Sequence, residues 1–500
     1  MALHDFSRHA TDILIAQMNA DPGIPTSNPS VSGWQVPPHP LSEARSANLP
    51  PVTEFAIIGS GASGCSVASN LLQNELSGDQ RVTVFEARTL TSGATGRNGG
   101  QLLTHIPKFY KTYAEAHGKE AAGRIARYAL RTVDKMVDIA YSEDLGACEV
   151  RKVRDVMAFE DEEGFNAAVS SVRLYEEALS EENDKYSIID KDSAKKHHQL
   201  KNAVGALTAT AWAFWPYRLF TGIFQRLLDR YPNRFSIETR TPVLSIDYAP
   251  DTDSKYPYIL STPRGKVRAS QVFHCCNGFT SHLLPRLQGK IFPYRGTMSL
   301  QGLGAQEPNL GSKNLWLFYR PSTYDSRTGI LDSKLYYQHQ NAVTGEIFCG
   351  GGVRRLDGII KSDDEEVPAE TLETLEHFGS KMFDRPASGQ KAEGEDTSTP
   401  FKHLQAWTGI MGMTPDILPF VGKVPQSVTG RAAEGGEWIA AGYSGYGMPQ
   451  CWSCGEAIAR MALGESKPDW LPEPLLLSEK RLTDGRLSPE AALTYFVSPH

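Results

Sequence analysis

Three glycines, Gly59, Gly61 and Gly64, stand in "EFAIIGSGASGCSVASNLL" (54–72) between a short apolar run and an amphipathic one. Between a strand and a helix, that spacing serves a dinucleotide. The first glycine permits the tight turn, the second lets the backbone approach a pyrophosphate, and the third lets helix and strand pack closely. The phosphates face the helix N-terminus at Ala62 and Ser63, where unpaired N–H groups and the positive end of the helix dipole lie. "RVTVFEA" follows as a second strand and ends in Glu86, 22 residues past Gly64. A carboxylate there accepts hydrogen bonds from an unphosphorylated ribose and repels a 2′-phosphate, which disfavours NADP and leaves NAD or FAD.

Two more stretches separate those cofactors. "TSGATGRNGGQLL" (91–103) is too rich in glycine and hydroxyls to be the next strand of a simple nicotinamide domain. A second glycine turn, Gly442, Ser444, Gly445 and Gly447, opens another helix near the C-terminus. A flavin needs one end anchored at the first turn and its ring gripped by backbone groups from a distant segment, so the pair of turns favours FAD.

The elements that must position these turns are legible in outline. At 500 residues and 55.0 kDa, with 40% hydrophobic and 22% charged residues, the chain is long enough for two or more cores. A net charge of -7 argues against nucleic acid or an anionic membrane surface as partner. Seven scattered cysteines read as reduced thiols, and no apolar run or signal pattern points to a membrane or to secretion. The expectation is a cytoplasmic protein, with a peroxisome or other organelle left open because "SPH" is not a clear address.

Residues 21–51 hold eight of the 31 prolines and read as an extended arm, either draped on a domain surface by Trp34 or disordered. Strand-turn-helix-strand begins at Phe55, mostly helical sequence runs from 112 to 200, and β-like stretches follow, among them "KLYYQHQNAVTGEIFCGGG" with two apolar runs flanking a turn. "KSDDEEVPAETLETLEHF" reads as an acidic, solvated loop entering a helix, and "PASGQKAEGEDTSTP" as loop.

The fold class expected is α/β: a Rossmann-like FAD-binding domain with a discontinuous antiparallel-sheet (α+β) substrate domain. The boundaries are an arm over 1–51, the FAD-binding domain over 52–111, 202–290 and 401–470, a cap over 112–201 and 291–400, and a tail over 471–500.

The segments "IIGSGASG", "VFEA", "SGATGRNGGQ", "TPVLSID", "CCNGFTSHLLP", "PYRGTM", "WTGIMGMTPDILPFVG" and "AAGYSGYGM" occur in order across about residues 52–465. By them the chain resembles the D-amino-acid oxidase / sarcosine oxidase / glycine oxidase superfamily, and within it the γ-glutamylputrescine-oxidase-like members. The resemblance implies that Glu86 and Ala87 contact the adenosine. Ser92, Thr95, Arg97, Asn98, Gly99, Gly100 and Gln101 lie along pyrophosphate and flavin. Val243 meets the adenine through its backbone, Asn277 and Gly278 close a returning strand, and Asp416 with Gly445, Tyr446, Gly447 and Met448 surrounds the ring. Backbone N–H groups after Gly447, with Pro449 in the first helical turn, then stabilise negative charge on the reduced flavin. Relatives that bind flavin covalently carry a cysteine seven residues before the motif aspartate; Gly409 stands there, so non-covalent FAD is expected. Relatives that read "GHG" with a following lysine differ from Tyr446 and Pro449 here.

The chemistry so implied is oxidation of a C–H bond beside an amine nitrogen of an amine or amino acid by hydride transfer to flavin N5, with hydrolysis of the imine and O2 reduced to H2O2. Alternatives are an FAD dehydrogenase or hydroxylase of another substrate class, or a non-catalytic flavin-binding protein. Catalytic candidates are Tyr446, Tyr337 and His339, with Tyr336 beside them and His105 as a structural partner; each aromatic fits core or pocket wall as well. Arg97 or Arg295 would clamp a substrate carboxylate, with Arg97 the better fit to phosphate or flavin. Cys451 and Cys454 read as a structural thiol pair, and no metal site is expected.

Overall fold

The computed structural model describes residues 8–302, 308–332, 335–383, 403–433 and 435–497. The expected loop over 386–400 and the terminal "SPH" lie outside these residues. Two large sheets dominate. In the first, Val52–Ile58 pairs in parallel with Val82–Phe85 on one side and Gly265–His274 on the other. Phe235–Glu238 extends it at one edge, and Glu437–Ala441 with antiparallel Phe420–Lys423 at the other. Phe55 and Ile57 pack on helices on one face, and Ala56 and Ile58 on the antiparallel strands Ser245–Tyr248 and Tyr258–Thr262 on the other, which is why "FAII" is buried at every position rather than at alternate ones.

Helix Ala62–Gln73 leaves the first glycine turn and Cys451–Ala462 follows the second. The two helices lie side by side. Ser66 Oγ donates to Trp452 O at 2.6 Å, and a Cβ at Gly455 would stand 2.6 Å from that of Ser66. Motifs nearly 400 residues apart thereby share one edge of one sheet.

The second sheet has nine strands and is mostly antiparallel. At one edge His403–Met413 pairs with Phe292–Gln301, and next to them comes the hairpin Leu335–Gln340 and Ile347–Gly350, the two apolar runs read from the sequence. Arg151–Phe159 pairs with Gly205–Ala213, which also takes Gln101–Leu102. Strands Gln101–Leu102, Gly205–Ala213 and His403–Met413 therefore join the second sheet although they fall in the spans assigned above to the FAD-binding domain. Alternation marks a strand without saying which sheet it joins.

Three further expectations change. In the N-terminal arm, residues 21–51 do drape on the surface, with only Pro22 and residues 32–34 buried, but residues 8–19 form a packed helix. Helix Arg8–Asn19 packs Leu14 and Met18 with Phe292, Ile359 and Leu493, and Trp34 is 1% exposed. Residues 471–497 are no tail, because Leu471, Leu475 and Leu487 are fully buried. In the acidic segment Asp364 is 0% exposed and receives two hydrogen bonds from Arg88, since a buried guanidinium requires a counter-charge.

Candidate active site

A cavity of about 720 Å³ runs between the sheets and is lined by both glycine turns. At one end stands the first turn, whose cradle admits no side chain. A Cβ at Gly59, where φ is +105°, would lie 2.6 Å from Cys275 O, and one at Gly64 would lie 2.0 Å from Gly59 O. The Ser60 N–H and hydroxyl donate to Glu86 Oε2 at 3.0 and 2.6 Å, and the Arg88 N–H donates to Oε1 at 2.9 Å. These bonds fix the carboxylate at the strand end. The Ala62 N–H donates to Thr95 Oγ1 at 2.9 Å, joining the helix start to the 91–101 segment, and Ser63 Oγ lies 2.6 Å from the Tyr443 hydroxyl.

The 94–100 segment crosses the middle of the cavity. Arg97 donates to Ser92 O and Thr408 O, both at 2.7 Å, and lies 3.6 Å from Asp364. Burial, and then the neighbouring Arg88, lower its pKa to about 10. The guanidinium is committed to the protein, so it braces the segment rather than waiting for a substrate anion.

The far end is aromatic. Tyr294, Tyr319, Tyr337, Tyr446, Phe109 and His105 line it. His105 packs on Tyr446 with ring centroids 4.5 Å apart, and its Nδ1 stands 3.4 Å from the Tyr319 hydroxyl. Burial, then Lys108, lowers the His105 pKa to about 3. Burial pushes the hydroxyls of Tyr337 and Tyr446 up to about 12. Two cations reach this wall: Lys108 Nζ stands 4.1 Å from the centroids of the Phe109 and Tyr319 rings, and Arg354 donates from Nη1 to the Tyr294 hydroxyl at 2.7 Å, while its buried Nε has no partner among the described residues.

Residues 54–461 match the family described as "DAO: FAD dependent oxidoreductase". The chain belongs to this family. It is 22% identical to the probable oxidoreductase OrdL of Rhizobium meliloti (strain 1021) over 455 residues, 87% of this chain and 91% of that protein. In fold it is similar to glycine oxidase from Geobacillus kaustophilus, with TM-score 0.63, 16% identity, and 86% of this chain and 99% of that one covered. It is also similar to L-proline dehydrogenase from P. horikoshii, with TM-score 0.60, 18% identity, and coverage of 84% and 96%.

As a DAO-family FAD-dependent oxidoreductase, the protein uses FAD, and the cavity fits that cofactor: Gly59 and Gly61 at the helix start, the Glu86 carboxylate at the end of the second strand, and Gly99 with Gly445 and Gly447 of the second turn all line it. Most positions named from the sequence line this cavity: Gly59, Gly61, Ala62, Ser63, Glu86, Ala87, Thr95, Arg97, Asn98, Gly99, Gln101, Val243, Asn277, Asp416, Ser444, Gly445, Tyr446, Gly447 and Met448, with Tyr337. Gly64, Ser92, Gly100, Gly278 and Gly442 stand behind it as packing or turn positions; at Gly278 a Cβ would meet Met411 O at 2.8 Å.

Three placements differ from the sequence reading. His339 is outside the cavity wall, 2% exposed behind Gly99–Gly100, with Nδ1 2.8 Å from Gly99 O, so it contacts the loop and not the reacting space. Tyr336 packs on Phe378 and donates to Asp332, facing away. Arg295 does not line the cavity, whereas Arg354 does. Arg354 went unread because nothing local distinguishes it; the preceding run "CGGGVRR" was the available signal. Cys451 lines the cavity and Cys454 lies 2.9 Å from the Tyr128 hydroxyl, buried as a thiol among packed side chains. No described helix is long and apolar enough to cross a membrane.

Proposed function

We propose that this FAD-dependent oxidoreductase oxidises the C–N bond of an amino acid or a carboxylate-bearing amine, passing the electrons to O2. The observation that carries the reading is Arg354: a guanidinium whose Nε has no partner among the described residues, bonded to the Tyr294 hydroxyl in a largely aromatic stretch of the cavity wall. A carboxylate is the complement of that fork. The enzymes named glycine oxidase and L-proline dehydrogenase, similar in fold, act on amino acids, which supports the same class.

The chemistry supplied by bound FAD is acceptance of a hydride equivalent from the carbon beside nitrogen. The chain's part is orientation and exclusion of water. Arg354 holds the carboxylate, and the Tyr294, Tyr337 and Tyr446 rings confine the α-carbon. An ammonium group entering this wall loses hydration beside a fixed cation, so the neutral amine, whose lone pair drives hydride loss, is favoured. His105 with its pKa near 3 and the two tyrosines near 12 offer no base poised near neutrality, and none is required.

With FAD bound, Glu86 would hold the ribose and the helix start beyond Ala62, whose own N–H is taken by Thr95 Oγ1, the pyrophosphate. Attachment is non-covalent by this reading, since Gly409 has no thiol to offer where covalent relatives carry cysteine, and the position is tight, a Cβ there standing 3.0 Å from that of Arg97. Anaerobic mixing with amino acids, N-methyl amino acids and polyamine derivatives tests the proposal: bleaching of the yellow absorbance by one class, and peroxide on admitting air, is the expected result. Bleaching without peroxide would point to a dehydrogenase, the second reading favoured by the L-proline dehydrogenase fold. Absence of bleaching by any of these compounds would overturn the amine chemistry.

A further inference from the structure

Four consecutive carbonyls of the 94–100 segment, those of Gly96, Arg97, Asn98 and Gly99, each accept a hydrogen bond from a side chain on the side away from the cavity. Ser32 Oγ donates to Gly96 O at 2.8 Å, Trp407 Nε1 to Arg97 O at 2.9 Å, Trp34 Nε1 to Asn98 O at 2.6 Å and His339 Nδ1 to Gly99 O at 2.8 Å. A carbonyl only accepts, so the His339 proton sits on Nδ1; burial, then Arg151, lowers this ring's pKa to about 3 and keeps it neutral.

The donors form one packed plate. Trp34 stacks on Phe348 with centroids 3.6 Å apart and planes 4° apart, and His339 stacks on both at 5.6 and 5.3 Å. A Cβ at Gly100, where φ is +67°, would strike His339 at 2.7 Å and Trp34 at 2.8 Å, so the plate and the glycine pair are fitted to each other. In a trans peptide the N–H points opposite to the carbonyl. With the carbonyls of Arg97 and Asn98 turned to the plate, the N–H groups of Asn98 and Gly99 turn to the cavity that both residues line, and neither has a protein acceptor among the described residues.

We infer that Trp407 and Trp34, the donors to Arg97 O and Asn98 O, are positioning residues which aim the Asn98 and Gly99 N–H groups at the flavin and so raise its reduction potential. The inference rests on the FAD assignment and is independent of the substrate. Trp34 belongs to the Pro-rich segment before residue 54, outside the family match, so part of the flavin's electrostatic setting comes from a region that carries no cofactor motif. Fixed N–H dipoles stabilise negative charge on a reduced ring at no reorganisation cost, and they lose that effect when the carbonyls behind them are released.

The test is the midpoint potential of the holoprotein's flavin, measured by reductive titration against a reference dye, for wild type, Trp34→Phe, Trp407→Phe and His339→Leu, with bound FAD and Tm measured alongside. Trp34→Phe and Trp407→Phe each keep a ring in place without its donor. His339→Leu loosens the stack but releases only the Gly99 carbonyl, whose peptide N–H, that of Gly100, already donates to Asn98 Oδ1 at 2.8 Å. The expected result is full FAD content in all four, a reduced-to-oxidised ratio at fixed poise about tenfold lower in Trp34→Phe and Trp407→Phe, which is ~30 mV for a two-electron couple, and the wild-type potential in His339→Leu. Unchanged potentials in the two tryptophan variants would overturn the inference, as would an equal shift in His339→Leu. A wild-type protein without flavin absorbance would instead overturn the FAD assignment beneath it.

Discussion

Arg481 grips Asp416 with two hydrogen bonds, Nε to Oδ2 at 2.9 Å and Nη2 to Oδ1 at 3.0 Å, and its remaining donors reach the carbonyls of Leu418, Pro419 and Leu475. Asp416 lines the cavity, yet its carboxylate is held from behind by a residue 20 positions past the end of the family match. Arg481→Met leaves a buried carboxylate uncompensated. It is expected to destabilise the protein by about 3–5 kcal/mol, seen as a fall in Tm, together with weaker retention of FAD on dilution. Arg481→Lys recovers only part of this, because an ammonium cannot fork across both oxygens.

Gly64→Ala is expected to yield protein without flavin. The added Cβ would stand 2.0 Å from the Gly59 carbonyl, a contact with backbone that no rotamer relieves, so helix Ala62–Gln73 must move off the strand and take the phosphate-facing N–H groups with it. The absorbance ratio of flavin to protein, before and after added FAD, checks this.

Arg354→Met should spare the flavin spectrum and lower kcat/KM for carboxylate substrates by about 30- to 100-fold, roughly the 2–3 kcal/mol of a charged hydrogen-bonded pair. The loss should fall on KM rather than on kcat. Amines lacking a carboxylate should be affected little, and equal losses for both substrate types would refute the clamp.

The pH dependence of kcat/KM should belong to the substrate. With His105 titrating near 3 and Tyr337 and Tyr446 near 12, these cavity groups change charge outside the working range. The profile should rise by one proton as the amine deprotonates, and its break should move when a substrate of different amine pKa is used.

Acid stability has an identifiable component at Glu437, which accepts from Arg431 at 2.7 and 2.6 Å and lies 2.9 Å from His274 Nε2. Burial alone would raise this carboxyl; the hydrogen bonds from His274 and Arg431 outweigh it and bring the pKa from 4.5 to about 2. A depressed carboxylate stabilises the fold above its unfolded pKa and loses that effect as pH falls through the folded one. The contribution, on the order of 3 kcal/mol at neutral pH, should therefore disappear between about pH 4.5 and 2. Glu437→Gln should lower Tm at pH 7, with the gap to wild type closing as the pH approaches 2.

What the sequence by itself determined were the features whose physics is local. The spacing of Gly59, Gly61 and Gly64, the carboxylate at Glu86, and the glycine pair Gly99–Gly100 are backbone requirements met within a few residues, so they are written contiguously and imply a bound dinucleotide wherever the chain folds. Cavity placement of Tyr337 and Tyr446 was legible for the same reason, since each neighbours a glycine turn or lies on a clear strand. Only the tertiary structure decided which charge faces which. Arg97 turns inward to Asp364, Arg354 turns to the aromatic wall, Asp416 is claimed by Arg481, and His339 points to a carbonyl rather than to substrate. Each depends on partners scores to hundreds of residues away whose approach is set by strand order and register, and neither is encoded in the few residues around the side chain.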